Sequence, residues 1–175
     1  MQSPPKKKIF AISGSLRSGS SNHNVLRYLQ KLASDDVSFF IYDRLADIPP
    51  FDPGNDHEHP PESVFELRSF IRNADAVVIC TPEYAFGVPG QLKNALDWTV
   101  SSGSLSGKQT ALITASTGGE NAHAALIKIL GALDADLQNE VTLLIPFIRS
   151  KMNDKGDITD EETAVRLKAL LLNLL

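Results

Sequence analysis

Ser15, Arg17, Ser20, Ser21 and Asn22 gather hydroxyls, one guanidinium and one amide into a single short stretch, GSLRSGSSN, that no carboxylate interrupts. All of these groups donate hydrogen bonds and one of them is permanently charged, so the chemistry they suit is the holding of an anion. The stretch lies between an apolar run, Ile9 to Ile12, and the helical spacing of Val25, Leu26, Leu29 and Leu32. Ser20, Ser21 or Asn22 can cap that helix. Its first turn adds unpaired backbone N–H groups and the positive end of the dipole, so an anion placed there needs little further machinery.

The spacing narrows the choice of anion. A dinucleotide fingerprint G-x-G-x-x-G requires glycine at position 16, where the chain has Leu16. Gly14, Gly19 and Ser21 match three positions of the triphosphate loop G-x-x-x-x-G-K-[ST], but its lysine is replaced by Ser20. Without that cation the terminal phosphates lose their main charge partner. One arginine and several hydroxyls suit a single terminal phosphate, such as that of a flavin mononucleotide. Ser13, Gly14 and Ser15 do not form a G-x-S-x-G nucleophile elbow, which excludes a hydrolase of that kind.

Two further segments carry polar groups in rigid or small-residue settings. TPEYAFGVPG, from Thr81 to Gly90, is held in extended and turn conformations by its prolines and glycines. Such backbone can offer N–H and C=O groups to the polar edge of a flat heterocycle. Pro82 offers only a carbonyl, while Glu83, Tyr84 and Ala85 each retain a donor. Tyr84 can stack near a ring or pack on the phosphate-type loop; Glu83 has no paired carboxylate and is no general acid. Ser116, Thr117, Gly118 and Gly119 are small enough to let a ring approach and have hydroxyls to bond it. His57 and His59 flank Glu58 in a metal-like spacing, but no further ligand lies nearby in sequence, and a solvated loop is the better reading. Cys80 is the only cysteine and sits in an apolar run, as a small buried hydrophobe of a reduced compartment would.

These segments must be positioned by the elements between them. Strand-like runs at 9–12, 37–42, 74–80, 108–115 and 141–147 alternate with helical patterns from Val25, over 62–73, from Leu92 to Val100, from Ala122 to Leu133, and from Thr159 to the C-terminus. That alternation predicts an α/β fold, a doubly wound parallel sheet with helices on both faces. About five strands with a mononucleotide loop after the first favour the flavodoxin-like order 2-1-3-4-5. Ligand loops then belong at the carboxyl ends of the strands, and all three unusual segments follow strands 1, 3 and 4. The proline-rich stretch 45–61 is too long for a simple connection and is expected to be functional, an interface or mobile. The leucine-rich tail can serve core or interface.

Residues 1–175 are expected to form one domain. A net charge of −4, from 17 basic and 21 acidic residues, with no basic stripe beyond Lys6 to Lys8, argues against nucleic acid. No apolar run reaches the length of a membrane span, and the first residues do not read as a secretory signal, so a soluble, cytoplasmic protein is expected.

GSLRSGSSN, TPEYAFGVPGQLKNALDW and TASTGG, in this order, closely resemble the NADPH-dependent FMN reductase family, whose relatives include quinone, azo-dye and chromate reductases. The resemblance implies that Ser15, Arg17, Ser20 and Asn22 bind the FMN phosphate, with Ser21 a further candidate. It implies that Pro82, Glu83, Tyr84 and Ala85 line the isoalloxazine and that Ser116, Thr117 and Gly118 close its other side. It also implies NADPH or NADH as donor, a small acceptor such as a quinone, ping-pong turnover, and a homodimer or homotetramer. Asn94, Asp97 and Trp98 then belong to an interface or to helix packing. Many relatives carry asparagine where this chain has Ala85, followed here by Phe86, which makes the pocket more apolar. The alternatives are an electron carrier of flavodoxin type, disfavoured by the mild charge and the lack of an aromatic sandwich, and a reductase that releases reduced FMN.

Overall fold

The computed structural model describes residues 6–175. The reading of the chain's first residues as unlike a secretory signal falls partly outside them. Five strands, β1 (Lys7–Ser13), β2 (Val37–Tyr42), β3 (Ala76–Thr81), β4 (Gln109–Ala115) and β5 (Thr142–Ile145), alternate with five helices, α1 (Ser21–Leu32), α2 (Glu62–Asn73), α3 (Gly90–Asp97), α4 (Glu120–Ala132) and α5 (Glu161–Leu174). The strands pair in parallel in the order β2-β1-β3-β4-β5, the flavodoxin-like arrangement expected.

Every residue of β3 is buried, as a central strand covered on both faces must be. Alternation along the strands divides the core. Ile9, Ala11, Val78, Cys80 and Ile113 meet Val25, Leu26 and Leu29 of α1 and Leu167, Leu170, Leu171 and Leu174 of α5. Phe10, Ile12, Val77, Ile79 and Leu112 face α2, α3 and α4 through Val64, Leu67, Leu92, Leu96 and Leu126. Each fully buried aliphatic side chain contributes about 1.5–3 kcal/mol. Most of the leucine tail is therefore core, and Leu172 alone of its inner residues is strongly exposed.

Several boundaries differ from the sequence reading, three of them with a plain physical cause. The fifth strand stops at Ile145, because Phe147 turns into the left-handed region with φ 53°. The third helix ends at Asp97, well before Val100, with Trp98 closing it. The last helix starts at Glu161, where the Asp160 carboxylate accepts from the Thr163 N–H at 2.9 Å and caps it.

The proline-rich stretch 45–61 is fastened to α3. Gln91 Nε2 donates to the carbonyls of Leu45 and Ile48, each at 2.8 Å, and Asn94 Nδ2 donates to Pro49 at 2.9 Å. Asn94 Oδ1 accepts from the Phe51 N–H at 2.7 Å, and Trp98 Nε1 donates to Pro49 at 2.9 Å. Asn94 and Trp98 thus hold the loop within the chain. His57 Nδ1 accepts from the His59 N–H at 3.1 Å, closing a local turn.

Candidate functional site

In register, Ser13 lies beside Cys80, Thr81 beside Thr114, and Ala115 beside Ile145, so the strands end together and their following loops share one edge. A cleft of about 610 Å³ opens there. Its walls include Ser15, Arg17, Ser20, Ser21, Asn22, Pro82, Glu83, Tyr84, Ser116 and Thr117. Ala85 and Gly118, also expected in the site, do not line it.

The loop after β1 is built on its own hydrogen bonds. Gly14 N–H donates to the Cys80 carbonyl at 2.8 Å, and a Cβ on Gly14 would stand 2.9 Å from Thr81 Cβ, so the loop leaves the sheet only because this residue has no side chain. Ser15 Oγ accepts from the Arg17 N–H at 3.4 Å, and the Arg17 carbonyl accepts from Ser20 N–H at 3.2 Å. Ser20 Oγ then caps α1 by accepting from His23 N–H at 3.2 Å. The N–H groups of Ser21 and Asn22 have no protein acceptor among the described residues and stand at the positive end of α1. Arg17 is exposed over this end and makes no ion pair among the described residues. Asn22 is buried, its Oδ1 accepting from Cys80 Sγ at 3.4 Å. Burial pushes the Cys80 thiol up, which keeps it a protonated donor and not a nucleophile.

The loops after β3 and β4 are tied together by Glu83. Its N–H donates to Ser116 Oγ at 3.2 Å, and its carboxylate accepts from Ala122 N–H at 2.7 Å in the first turn of α4. Gly119, with φ 117°, occupies the N-cap of that helix and has no side chain to cap with. Glu83 supplies the missing cap from another loop and is positioned for structure, as its lack of a paired carboxylate suggests. Gly118 lies behind this contact, 3.9 Å from Glu83 Oε1 if given a Cβ. Tyr84 packs on the first loop, its hydroxyl 3.4 Å from Ser15 Oγ. His123 sits below, with Nδ1 2.9 Å from Thr114 Oγ1, and burial lowers its pKa so that the ring is held neutral.

Beyond Tyr84 the chain turns sharply. Tyr84 and Gly87 exchange both backbone hydrogen bonds, at 3.1 and 2.9 Å, across Ala85 and Phe86, whose φ values are 49° and 59°. Two successive left-handed residues make a turn that asparagine and glycine favour and a Cβ opposes. Phe86 is 82% exposed at its tip. Replacing Ala85 by glycine should therefore raise stability by up to about 1 kcal/mol, or a melting temperature higher by about 2–4 °C for a chain of this size. A lower melting temperature for that variant would show that the turn is not strained.

Sequence reasoning missed the wall after β5. Phe147, Ile148, Arg149 and Ser150 all line the cleft, and Phe147 and Ile148 donate their N–H groups to the carbonyls of Thr117 and Ser116 at 3.1 and 3.2 Å. A strand drawn through Phe147 hides them, and nothing in the letters signals a left-handed phenylalanine. With Tyr84, Phe147 gives the cleft an exposed aromatic lining. Chemically, one end of the cleft is a cradle for an anion and the remainder is a wide, partly apolar slot. No activated nucleophile or carboxylate pair faces it among the described residues.

The chain is similar to known proteins over most of its length. Residues 7–149 match the family model described as NADPH-dependent FMN reductase. A quinone reductase of Escherichia coli K12 is 36% identical over 173 residues, covering 95% of this chain and 92% of that protein. A 2-hydroxy-1,4-benzoquinone reductase of a Burkholderia species is 33% identical, covering 94% of this chain and 92% of its own length. Among solved structures, FerB of Paracoccus denitrificans, a flavoenzyme NAD(P)H:(acceptor) oxidoreductase, superposes with a TM-score of 0.83 at 32% identity, over 96% of this chain and 94% of that one.

Proposed function

Because the chain belongs to the NADPH-dependent FMN reductase family, we propose that it is an FMN-dependent oxidoreductase that carries reducing equivalents from NAD(P)H to a quinone. The observation that carries this reading is a single cleft of about 610 Å³ whose lining joins the loop that opens α1 to the loops after β3 and β4. The residues fit a flavin mononucleotide. The open N–H groups of Ser21 and Asn22, the hydroxyls of Ser15, Ser20 and Ser21, and Arg17 would hold its phosphate. Pro82, Glu83 and Tyr84, with Ser116 and Thr117, would bound the ring, Glu83 by fixing one loop against the other. Bound there, the flavin would supply the two-electron chemistry, taking hydride from the reduced nicotinamide and passing it to the acceptor.

The protein's own task is to orient and to admit. The Glu83 bridge holds two walls at a fixed separation, and the exposed rings of Tyr84 and Phe147 favour planar, apolar molecules over charged ones. Donor and acceptor would use the same slot in turn, the ping-pong order. The whole of 1–175 would act as one domain, in a cytoplasmic homodimer or homotetramer. Among the described residues no helix is long and apolar enough to cross a membrane.

The test is the visible spectrum of protein loaded with FMN and passed through gel filtration, followed anaerobically on adding NADPH, NADH and then a quinone. A retained flavin band that bleaches with either nucleotide and returns with quinone is the expected result, with parallel lines in double-reciprocal plots. A band that neither nucleotide bleaches would overturn the reductase. Converging lines would overturn the ping-pong order.

A further inference from the structure

The cleft does not end at its phosphate cradle. A second groove of about 430 Å³ adjoins it along the flank of α1, and the two share Ser21 and Arg149. Ser21, Asn24 and Arg27 recur at intervals of three, so they form one face of α1 and one wall of the groove. The opposite wall is the segment from Met152 to Gly156. That segment has a defined shape: Asn153 Oδ1 accepts from Lys155 N–H at 3.0 Å and Asp157 N–H at 2.9 Å, and Gly156 N–H donates to the Asn153 carbonyl at 2.9 Å. Gly156, with φ 81°, lies directly against the side chain of Asn24, where no Cβ would fit. The groove is therefore walled by packed chain.

Its charge is one-sided. Arg27, Arg149 and Lys155 line it against one carboxylate, Asp154. Among the described residues none of the three cations makes an ion pair, although Lys31 and Asp157 close by pair at 3.5 Å. Three like charges around a groove that adjoins a phosphate cradle, with amides of Asn24 and Asn153 between them, make a positive field without its counter-ion.

We infer that this groove is a second phosphate subsite, taking a nucleotide phosphate held next to the one that lies at the start of α1. The inference rests on the flavin phosphate occupying that start. Two sources carry the required chemistry: the adenylyl phosphate of FAD, reached directly through Ser21 and Arg149, and the 2′-phosphate of NADPH. The protein would then accept FAD as well as FMN, or discriminate NADPH from NADH, by the same cations.

The variant that tests this is Arg27→Ala combined with Lys155→Ala, two exposed residues outside the first cleft. Affinities for FMN and for FAD are measured by flavin fluorescence titration, and kcat/KM for NADPH and NADH with FMN bound. Expected is FMN affinity unchanged within twofold, with either FAD affinity at least fivefold weaker or the NADPH-to-NADH ratio at least fivefold lower. A loss confined to FAD identifies the adenylyl phosphate; a loss confined to the NADPH ratio identifies the 2′-phosphate. If FMN binds normally and neither quantity moves, the subsite is overturned. If wild-type protein binds no FMN, it is the cofactor reading beneath it that fails.

Discussion

Replacing Arg68 by methionine should destabilise the fold by about 3–5 kcal/mol, the cost of stranding one member of a buried ion pair. The Arg68 and Asp56 side chains are only 5% and 8% exposed, and Nη2 donates to Asp56 Oδ1 at 2.5 Å. Arg68 Nε also donates to the Trp98 carbonyl at 2.8 Å, and Ser101 Oγ donates to Asp56 Oδ1 at 2.7 Å. The pair therefore joins α2, the end of α3 and the proline-rich stretch. Without the guanidinium, Asp56 is a buried carboxylate with one hydroxyl partner. Denaturant unfolding followed by circular dichroism measures the loss, and Arg68→Met with Asp56→Leu should recover part of it. A single variant within 1 kcal/mol of wild type would show that the pair does not hold the loop. The same pair dictates an acid limb. Burial alone would raise the Asp56 carboxyl, but the hydrogen bonds from Arg68 and Ser101 and the guanidinium charge outweigh it and hold the group below its ordinary 3.8. A depressed carboxylate contributes stability that is present above the unfolded-state value and is lost as pH falls through the folded one. Wild type should lose this contribution below about pH 4, and the double variant should not.

Arg17→Ala should weaken FMN binding about 10- to 100-fold, since a charge-assisted hydrogen bond contributes on the order of 1.5–3 kcal/mol. The reason lies in the cradle's composition: hydroxyls and backbone N–H groups share the phosphate, but Arg17 is the only charged side chain of the loop. Its side chain is exposed and makes no ion pair among the described residues, so the melting temperature of the flavin-free protein should stay within about 1 °C. Arg17→Lys keeps the charge and loses the forked geometry, and should fall between the two. An alanine variant with wild-type FMN affinity would remove the phosphate from this loop.

The parallel sheet, its strand order and the loop that opens α1 were legible because each has a local signature. Apolar runs of strand length alternate with helical spacing, and Ser20 to Asn22 stand where a helix must start. Ser20 emerged as the cap because only its Oγ reaches the His23 N–H. What stayed hidden depends on three dimensions. Glu83 looked like an idle carboxylate until α4, capped by a bare glycine, was found beside it. Arg149 and Ser150 were invisible because a pattern of apolar residues cannot report that Phe147 turns left-handed. The proline-rich stretch read as functional, an interface or mobile because its restraints, Gln91 and Asn94 on α3 and Trp98 at its end, lie more than thirty residues further along the chain.

Trp98 is the only tryptophan of the chain, and it is buried with its indole N–H on the Pro49 carbonyl and its ring edge-on to Phe51 at 5.1 Å. Its fluorescence consequently reads out a single event. While the stretch 45–61 stays seated the indole is shielded and emits toward the blue, and when that stretch lifts away water reaches it and the emission moves to the red. The chain contains its own optical gauge of that one contact, and no label need be attached to follow it.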